Sequence, residues 1–259
     1  MITWFLFLPH YIQALLAGIF TWSITALGAA FVFFFRQTNK NAMDAMLGFS
    51  AGVMIAASFW SLLSPSIEMA QNLQMTPWIV TFSGFFCGGL LLFFGDRIHP
   101  KPIHSFPKRS LMLMTSITLH NIPEGLAVGV AFGSISYHLD GATLASACLL
   151  ALGIGLQNFP EGTAVSVPLC REGFSKKQAF FYGQLSALVE PFSALIGALL
   201  ALKVRYLLPF ILAFAAGAMI YVVVEELIPE SQTNERKDFM ALFTLIGFSL
   251  MMILDVALG

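Results

Sequence analysis

Long apolar stretches, separated by short polar segments, follow one another along the whole chain. A helix that crosses a bilayer needs about 20 apolar residues, and stretches of this length recur with polar breaks between them. The pattern predicts an all-α integral membrane protein in which residues 1–259 form one transmembrane domain of eight transmembrane helices. The predicted spans cover approximately residues 10–35, 44–66, 76–96, 110–133, 142–168, 177–201, 205–229 and 238–257.

Composition supports this fold class. Hydrophobic residues make up 58% of the chain and charged residues only 10%, whereas soluble domains carry about 25% charged residues. Because one water-soluble core cannot bury so many apolar side chains, we expect membrane lipid to solvate much of the surface. The basic residues form no face suited to nucleic acid, so nucleic acid is not an expected partner.

The basic residues are distributed unequally between alternate loops. Of the 13 Lys and Arg residues, only Lys203 and Arg205 lie in one set of loops, and the other eleven lie in the alternate set. Cytoplasmic loops collect Lys and Arg, so eight spans with this asymmetry predict that both termini lie outside the cytoplasm. The expected location is the plasma membrane, which is the inner membrane in a bacterium. The predicted cytoplasmic set comprises Arg36, Lys40, Arg97, Lys101, Lys108, Arg109, Arg171, Lys176, Lys177, Arg236 and Lys237.

Two segments within predicted spans four and five repeat each other. Residues 119–125 read Leu-His-Asn-Ile-Pro-Glu-Gly, and residues 156–162 read Leu-Gln-Asn-Phe-Pro-Glu-Gly. Adjacent spans run antiparallel, so the two copies are expected to face each other around a pseudo-twofold axis in the membrane plane. Positions i, i+1 and i+4 of a helix can converge on one side. The polar residues at these positions are His120, Asn121 and Glu124 in the first copy and Gln157, Asn158 and Glu161 in the second.

These residue types favour a metal site. The proline of each copy cannot donate a backbone hydrogen bond, so it releases the carbonyl of Leu119 or Leu156. A carboxylate at the bilayer centre costs roughly 2.5 to 3.5 kcal/mol, and a divalent cation would compensate the two present here. Imidazole nitrogen with carboxylate and amide oxygens suits Zn²⁺, Fe²⁺ or Mn²⁺. The alternative is that each segment only kinks its helix and packs against a neighbour.

The paired segments resemble the signature of the ZIP (Zrt/Irt-like) divalent metal transporters. Gln157, where many family members have His, and the sequence Gly183-Gln184-Leu185-Ser186 ahead of Glu190 are most similar to the GufA-like branch. The resemblance implies eight spans, outward termini and uptake of a divalent metal, foremost zinc, with Cd, Fe or Mn as alternatives. It also implies a pair of metal sites between spans four and five, with bridging carboxylates. One site takes His120, Glu124, Gln157 and Glu161, and the other takes Asn121, Asn158, Glu124 and Glu161.

Two further residues within the spans are candidate ligands. Glu190 precedes Pro191 in predicted span six, which again joins a carboxylate to a helix-breaking residue. In similar family members an acid of span six joins the second metal site, so the resemblance adds Glu190 to the ligands. It also adds Met54 of span two, at a position where some members offer a thioether. Packing roles are the alternatives for both residues.

Other polar residues lie near span ends. By the predicted topology, Glu68 lies near the outer mouth, whereas Glu225 and Glu226 lie near the cytoplasm, so these acids are candidates for a cation pathway. His99 and His104 lie in the predicted cytoplasmic loop after span three and are candidates for a metal-sensing loop. For the acids, solvated interfacial carboxylates are the alternative interpretation.

Three functions from different classes fit the residues. The first is transport of a divalent cation toward the cytoplasm, and the resemblance implies that the motif helices shift as a rigid body against the others. The second is an intramembrane zinc-dependent hydrolase with the same ligands, although no HExxH motif is present. The third is a structural or assembly protein. Small residues along span six, including Gly183 and Gly197, allow close helix packing within one chain or in a homodimer.

Overall fold

The computed structural model describes residues 3–34, 40–98, 108–138, 142–233 and 237–258. Within these ranges the chain is helical throughout and forms no strand, which confirms the predicted all-α class. In chain order the helices are α1 (Thr3–Leu6), α2 (His10–Ala30), α3 (Lys40–Ala57), α4 (Ser64–Asn72), α5 (Pro77–Ile98), α6 (Lys108–Ser136), α7 (Leu144–Arg171), α8 (Lys176–Leu185), α9 (Val189–Leu199), α10 (Ala201–Val222), α11 (Ile228–Ser231) and α12 (Lys237–Leu258).

Three of the predicted spans are interrupted helices. A π-helical turn, Ser58–Leu63, joins α3 to α4, and a second one, Val223–Leu227, joins α10 to α11. Each π-helical turn ends two residues before a proline, and proline cannot supply the hydrogen bond that a regular α-helix requires. Predicted span six is broken at residues 186–188, between α8 and α9. The apolar pattern predicts continuous helices at all three places, because hydropathy does not register a local change of helix type.

In the part of the chain that the structure describes, six helical segments are long and apolar enough to cross a membrane. Helices α6 and α7, which carry the two motif segments, are not among the six, although they have 29 and 28 residues. Their motif side chains make them less apolar than the segments around them. The six segments are His10–Phe34, Asp44–Asn72, Pro77–Gly95, Lys176–Leu199, Ala201–Ser231 and Lys237–Ala257.

The long helices pack in four extensive pairs, which are α2 with α7, α6 with α9, α3 with α12, and α5 with α10. Exchanging α6 with α7 and α2 with α9 maps the first pair onto the second, which is the relation expected of a pseudo-twofold axis. In the most apolar stretches of α5 and α12, only 22% and 17% of the residues are buried. In the segments that contain α3 and α10, 61% are buried. Helices α5 and α12 therefore lie at the periphery, with α3 and α10 closer to the centre.

The α2–α7 pair depends on two glycines. A Cβ atom added at Gly28 would overlap the carbonyl of Phe159, and one added at Gly162 would overlap the carbonyl of Thr25. The backbones therefore approach each other more closely than side chains would allow, which is typical of helix pairs in membranes. Since Gly162 ends the second motif, this contact holds that motif against α2.

Candidate metal centre

Both motif helices continue through their central prolines. Helix α6 contains Pro123, and α7 contains Pro160, without a break in either helix. At its start, α7 has a capping box in which the side chains of Thr143 and Ser146 each accept a backbone N–H of the other, both at 3.1 Å. Such a box satisfies amides that the first helical turn leaves unpaired. Each proline removes one backbone hydrogen bond, but both helices remain continuous. The motif residues therefore keep their helical spacing.

The centre of the site is an imidazole between two carboxylates. His120 and Glu124 lie one turn apart on α6, and the Nε2 atom of His120 is 3.0 Å from Oε1 of Glu124. The same Nε2 atom is 3.2 Å from Oε1 of Glu161 on α7. One ligand atom from each of these three residues lies within 4.8 Å of the other two. Residues from two helices therefore converge on a volume the size of one coordinated ion.

The second motif adds two amides to this centre. The side-chain nitrogen of Gln157 donates a hydrogen bond to Oε1 of Glu124, so the first motif position of α7 reaches across to α6. The Nδ2 atom of Asn158 donates to both oxygens of Glu190 on α9, at 3.0 and 2.9 Å. Glu190 is close enough for its charge to interact with Glu124 and Glu161. The structure thus brings Glu190 to the motif residues, and its role as a metal ligand stays a prediction.

Asn121 has a different kind of partner. Its Nδ2 atom donates to the backbone carbonyl of Ser186 at 3.0 Å, at the break between α8 and α9. The indole of Trp22 on α2 donates to the carbonyl of Gln184 at 3.0 Å. A broken helix leaves carbonyls without their regular amide partners, and these must find other donors in a membrane. The side chains of Asn121 and Trp22 supply these donors and so stabilise the helix break that precedes Glu190.

The polar residues of the site are almost completely buried, with 1% exposure for His120 and Glu124 and 0% for the other five. Each also has a buried atom without a hydrogen-bond partner among the described residues, except Glu190. Leaving such an atom unsatisfied costs about 1–3 kcal/mol, and more in a charged group. These atoms are Nδ1 of His120, Oδ1 of Asn121, Oε2 of Glu124, Oε1 of Gln157, Oδ1 of Asn158 and Oε2 of Glu161.

Charge and donor chemistry fit a divalent cation. Glu124, Glu161 and Glu190 bring three carboxyl groups, while His120 supplies at most one positive charge. A buried excess of negative charge is costly unless a counter-charge is present. Five of the six unpartnered atoms are carboxylate or amide oxygens and one is an imidazole nitrogen, and zinc and similar first-row metals accept this set. The site therefore has the composition of a cation site.

A cavity of about 670 Å³ leads from Glu124 to one end of the bundle. Its walls near Glu124 are apolar and include Val130, Ile154 and Leu212. Its far end is formed by the helix ends that the loop charges predict to lie outside the cytoplasm. The polar residues at this end include Asn72, Ser134, Ser146 and Arg205.

The other predicted residues are Met54, the acids near the helix ends and the two loop histidines. Met54 is buried in the apolar core around α3 and α10, where Ser58 donates to the Met54 carbonyl at 2.7 Å and to the sulfur of Met219 at 2.9 Å. A role of its thioether as a ligand stays a prediction. Glu68 and Glu225 are exposed and Glu226 is partly buried, and their part in a pathway also stays a prediction. His99 and His104 lie outside the described residues.

Sequence reasoning assigned no role in the site to two residues that lie beside it. Thr21 of α2 is fully buried, its carbonyl accepts from Nδ2 of Asn158 at 3.4 Å, and its side chain interacts with Glu190. Ser186 offers the carbonyl that Asn121 caps. Thr21 and Thr25 are polar residues one turn apart in an apolar span, and Ser186 lies five residues before Pro191. Those spacings are the signals that point to a polar helix face and to a helix break.

Comparison with known proteins gives matches along nearly the whole chain. Residues 98–255 match the family model described as ZIP Zinc transporter. The chain is 36% identical to Zinc transporter ZIP11 of Homo sapiens over 95% of this chain and 97% of that protein. It is 35% identical to Zinc transporter ZIPB of Bordetella bronchiseptica, over 96% and 82% of the two chains. It is 34% identical to Zinc transporter GufA of Myxococcus xanthus, over 96% and 98%.

Proposed function

We propose, from the premise that this chain belongs to the ZIP family of zinc transporters, that it carries Zn²⁺ toward the cytoplasm through the site between α6 and α7. The family predicted from the paired motifs, with its GufA-like relatives, is confirmed. The relatives are named transporters and not enzymes, so the intramembrane hydrolase is not supported. The proposal concerns the site, the direction and the path, which family membership does not specify.

One observation carries the proposal. Ligand atoms of His120, Glu124 and Glu161 lie within 4.8 Å of one another in the buried centre of a membrane protein. A buried structural ion pair would need no further oxygens, but Gln157 and Asn158 add amides whose oxygen atoms lack hydrogen-bond donors among the described residues. Rotation of such an amide turns its oxygen toward a cation in place of its nitrogen.

A second metal position follows from the arrangement around Glu190. Asn158 orients both oxygens of Glu190, and Asn121 presents an unpartnered Oδ1 from the facing motif. With one oxygen each from Glu124 and Glu161, these side chains would form an oxygen-rich position next to the one that contains imidazole. We expect this position to bind zinc more weakly, because it lacks a nitrogen ligand.

The path requires eight membrane crossings, with α6 and α7 crossing in addition to the six apolar segments. Polar helices can cross when other helices shield them from lipid. In this topology both termini lie outside the cytoplasm and the cavity next to Glu124 opens outward. Metal would enter through that cavity and leave past Glu225 and Glu226 at the opposite end.

Alternating access would result from movement between two groups of helices. The extensive pairs α2–α7 and α6–α9 surround the site, whereas α3–α12 and α5–α10 form the other two pairs. A rigid-body shift of the first group against the second would expose the site to either side. The cavity supports this division, because its walls are formed by both groups.

Transport can be tested in proteoliposomes that enclose a zinc-sensitive dye. The wild-type protein should give a zinc-dependent signal, and Glu124→Ala combined with Glu161→Ala should abolish it. Asp238→Asn is a matched control, because Asp238 is an exposed carboxylate at the start of α12. Absence of a wild-type signal, or full signal from the double variant, would refute the proposal.

A further inference from the structure

Arg205 occupies an unexpected place for a basic residue. It lies in the second turn of α10 and is half-buried at the far end of the cavity that leads to Glu124. Leu208 and Leu212, three and seven residues further along α10, also line this cavity. Residues at these spacings share one helix face, so Arg205 lies on the face of α10 that forms the cavity wall.

The rest of the cavity lining is nearly uncharged. Glu124 at the inner end and Arg205 at the outer end are the only charged residues among those that line it. The guanidinium of Arg205 lies 5.4 Å from the ring centre of Tyr206, and no acidic side chain among the described residues forms an ion pair with it. Its positive charge is therefore not neutralised locally and acts on ions that enter the cavity.

We propose that Arg205 is an electrostatic barrier that limits the entry of free divalent cations and so sets the apparent affinity for zinc. This inference rests on the proposed function, in which zinc reaches Glu124 through this cavity. A unit positive charge about 10 Å from a divalent cation in water lowers the local cation concentration roughly fourfold. The apolar walls strengthen the effect, because field lines concentrate in a passage with a low dielectric lining.

The barrier also discriminates by charge. Repulsion doubles from a monovalent to a divalent cation and disappears for a neutral complex, so Arg205 disfavours the species that the inner site binds best. A transporter with this arrangement would saturate at higher zinc concentrations than its ligands alone would allow. The buried ligands would then set which ion binds, and Arg205 would set how readily it arrives.

A charge series at position 205 tests the barrier. Initial zinc uptake into proteoliposomes is measured for Arg205→Lys, Arg205→Gln and Arg205→Glu at low ionic strength. We expect Lys to match the wild type, Gln to lower the KM for zinc by about fourfold, and Glu to lower it further. At about 1 M salt the differences should collapse, since the Debye length falls to about 3 Å.

Lys203 provides the matched control. It lies two residues earlier on α10, is exposed, and is not among the residues that line the cavity. The same substitutions at Lys203 should leave the KM unchanged at both ionic strengths. Equal KM values across the Arg205 series, or a KM lowered as much in Arg205→Lys as in Arg205→Gln, would overturn the inference. If the wild-type protein itself transports no zinc, the proposed function fails instead.

Discussion

The two motif copies have nearly the same sequence but different partners. Asn158 of the second copy donates to both oxygens of Glu190 as well as to the carbonyl of Thr21, whereas Asn121 of the first copy caps the backbone of Ser186. His120 contacts both motif carboxylates, whereas Gln157 donates to Glu124 alone. The copies therefore contribute unequally to one site.

This difference follows from the helices against which each copy packs. Helix α6 packs on α9, and α7 packs on α2. An added Cβ at Gly125 would lie 2.6 Å from the carbonyl of Glu190, and one at Gly162 would overlap the carbonyl of Thr25. A sequence repeat can place equivalent side chains on facing helices, but non-equivalent neighbours then decide what each side chain binds.

The largest effect should come from the residues in which the copies agree. Glu124→Gln and Glu161→Gln should each lower zinc affinity by about 100-fold or more, because loss of a residue that only supports a ligand already costs 10–100-fold. Isothermal titration of the purified protein with Zn²⁺ measures this loss. If one of the two carboxylates proves dispensable, the copies do not share one site.

The next effect should come from the position in which they differ. His120→Gln should weaken zinc binding about tenfold, and Gln157→His should strengthen it, because zinc prefers imidazole to amide oxygen. Competition between Zn²⁺ and Mn²⁺ would show the same order. The double exchange, His120→Gln with Gln157→His, keeps one imidazole and one amide and should return close to the wild-type affinity. An affinity as low as that of His120→Gln alone would contradict a shared site.

Substitution of the motif glycines should reduce stability. Gly125→Ala and Gly162→Ala both force backbones apart, and overpacking of this kind costs about 1–3 kcal/mol. Gly162→Ala should be the more harmful, since its Cβ would overlap backbone on α2. Thermal unfolding in detergent measures both. Gly153→Ala is the control, because a Cβ there meets nothing within 4 Å, and equal melting temperatures for all three variants would contradict the close approach.

The smallest effect separates the two asparagines. In a double-mutant cycle, Asn158→Ala and Glu190→Gln should show a coupling energy of roughly 0.6 kcal/mol, which is the average for hydrogen bonds between membrane helices. Asn121→Ala and Glu190→Gln should show a coupling near zero, because Asn121 bonds to Ser186. For each cycle, the free energy of unfolding is measured without metal for the wild type, the two single variants and the double variant. Similar coupling for both asparagines would show that the copies are equivalent after all.

Much of this architecture could be predicted from the sequence. Apolar stretches located the long helices to within a few residues at most ends, since each needs an apolar surface that lipid or another helix can cover. The motif spacing predicted that His120, Glu124 and Glu161 converge, because helical periodicity and an antiparallel arrangement suffice for that. Glu190 was predicted from its position next to Pro191 and from the family resemblance.

Other features depend on packing that no local pattern records. The π-helical turn Ser58–Leu63 and the capping of Ser186 by Asn121 involve residues that are distant in sequence or helix geometry that hydropathy does not register. The position of Arg205 on the cavity wall also needed the assembled bundle, because a basic residue near a span end usually indicates only an interface with water.

The central claim is that the two unequal motif copies hold one transported metal between α6 and α7. Anomalous X-ray diffraction at the zinc edge, from crystals of the protein grown with zinc, tests it most directly. The account predicts a peak about 2.0–2.2 Å from Nε2 of His120 and from carboxylate oxygens of Glu124 and Glu161. Zinc peaks confined to other parts of the molecule, in protein that transports zinc, would contradict it.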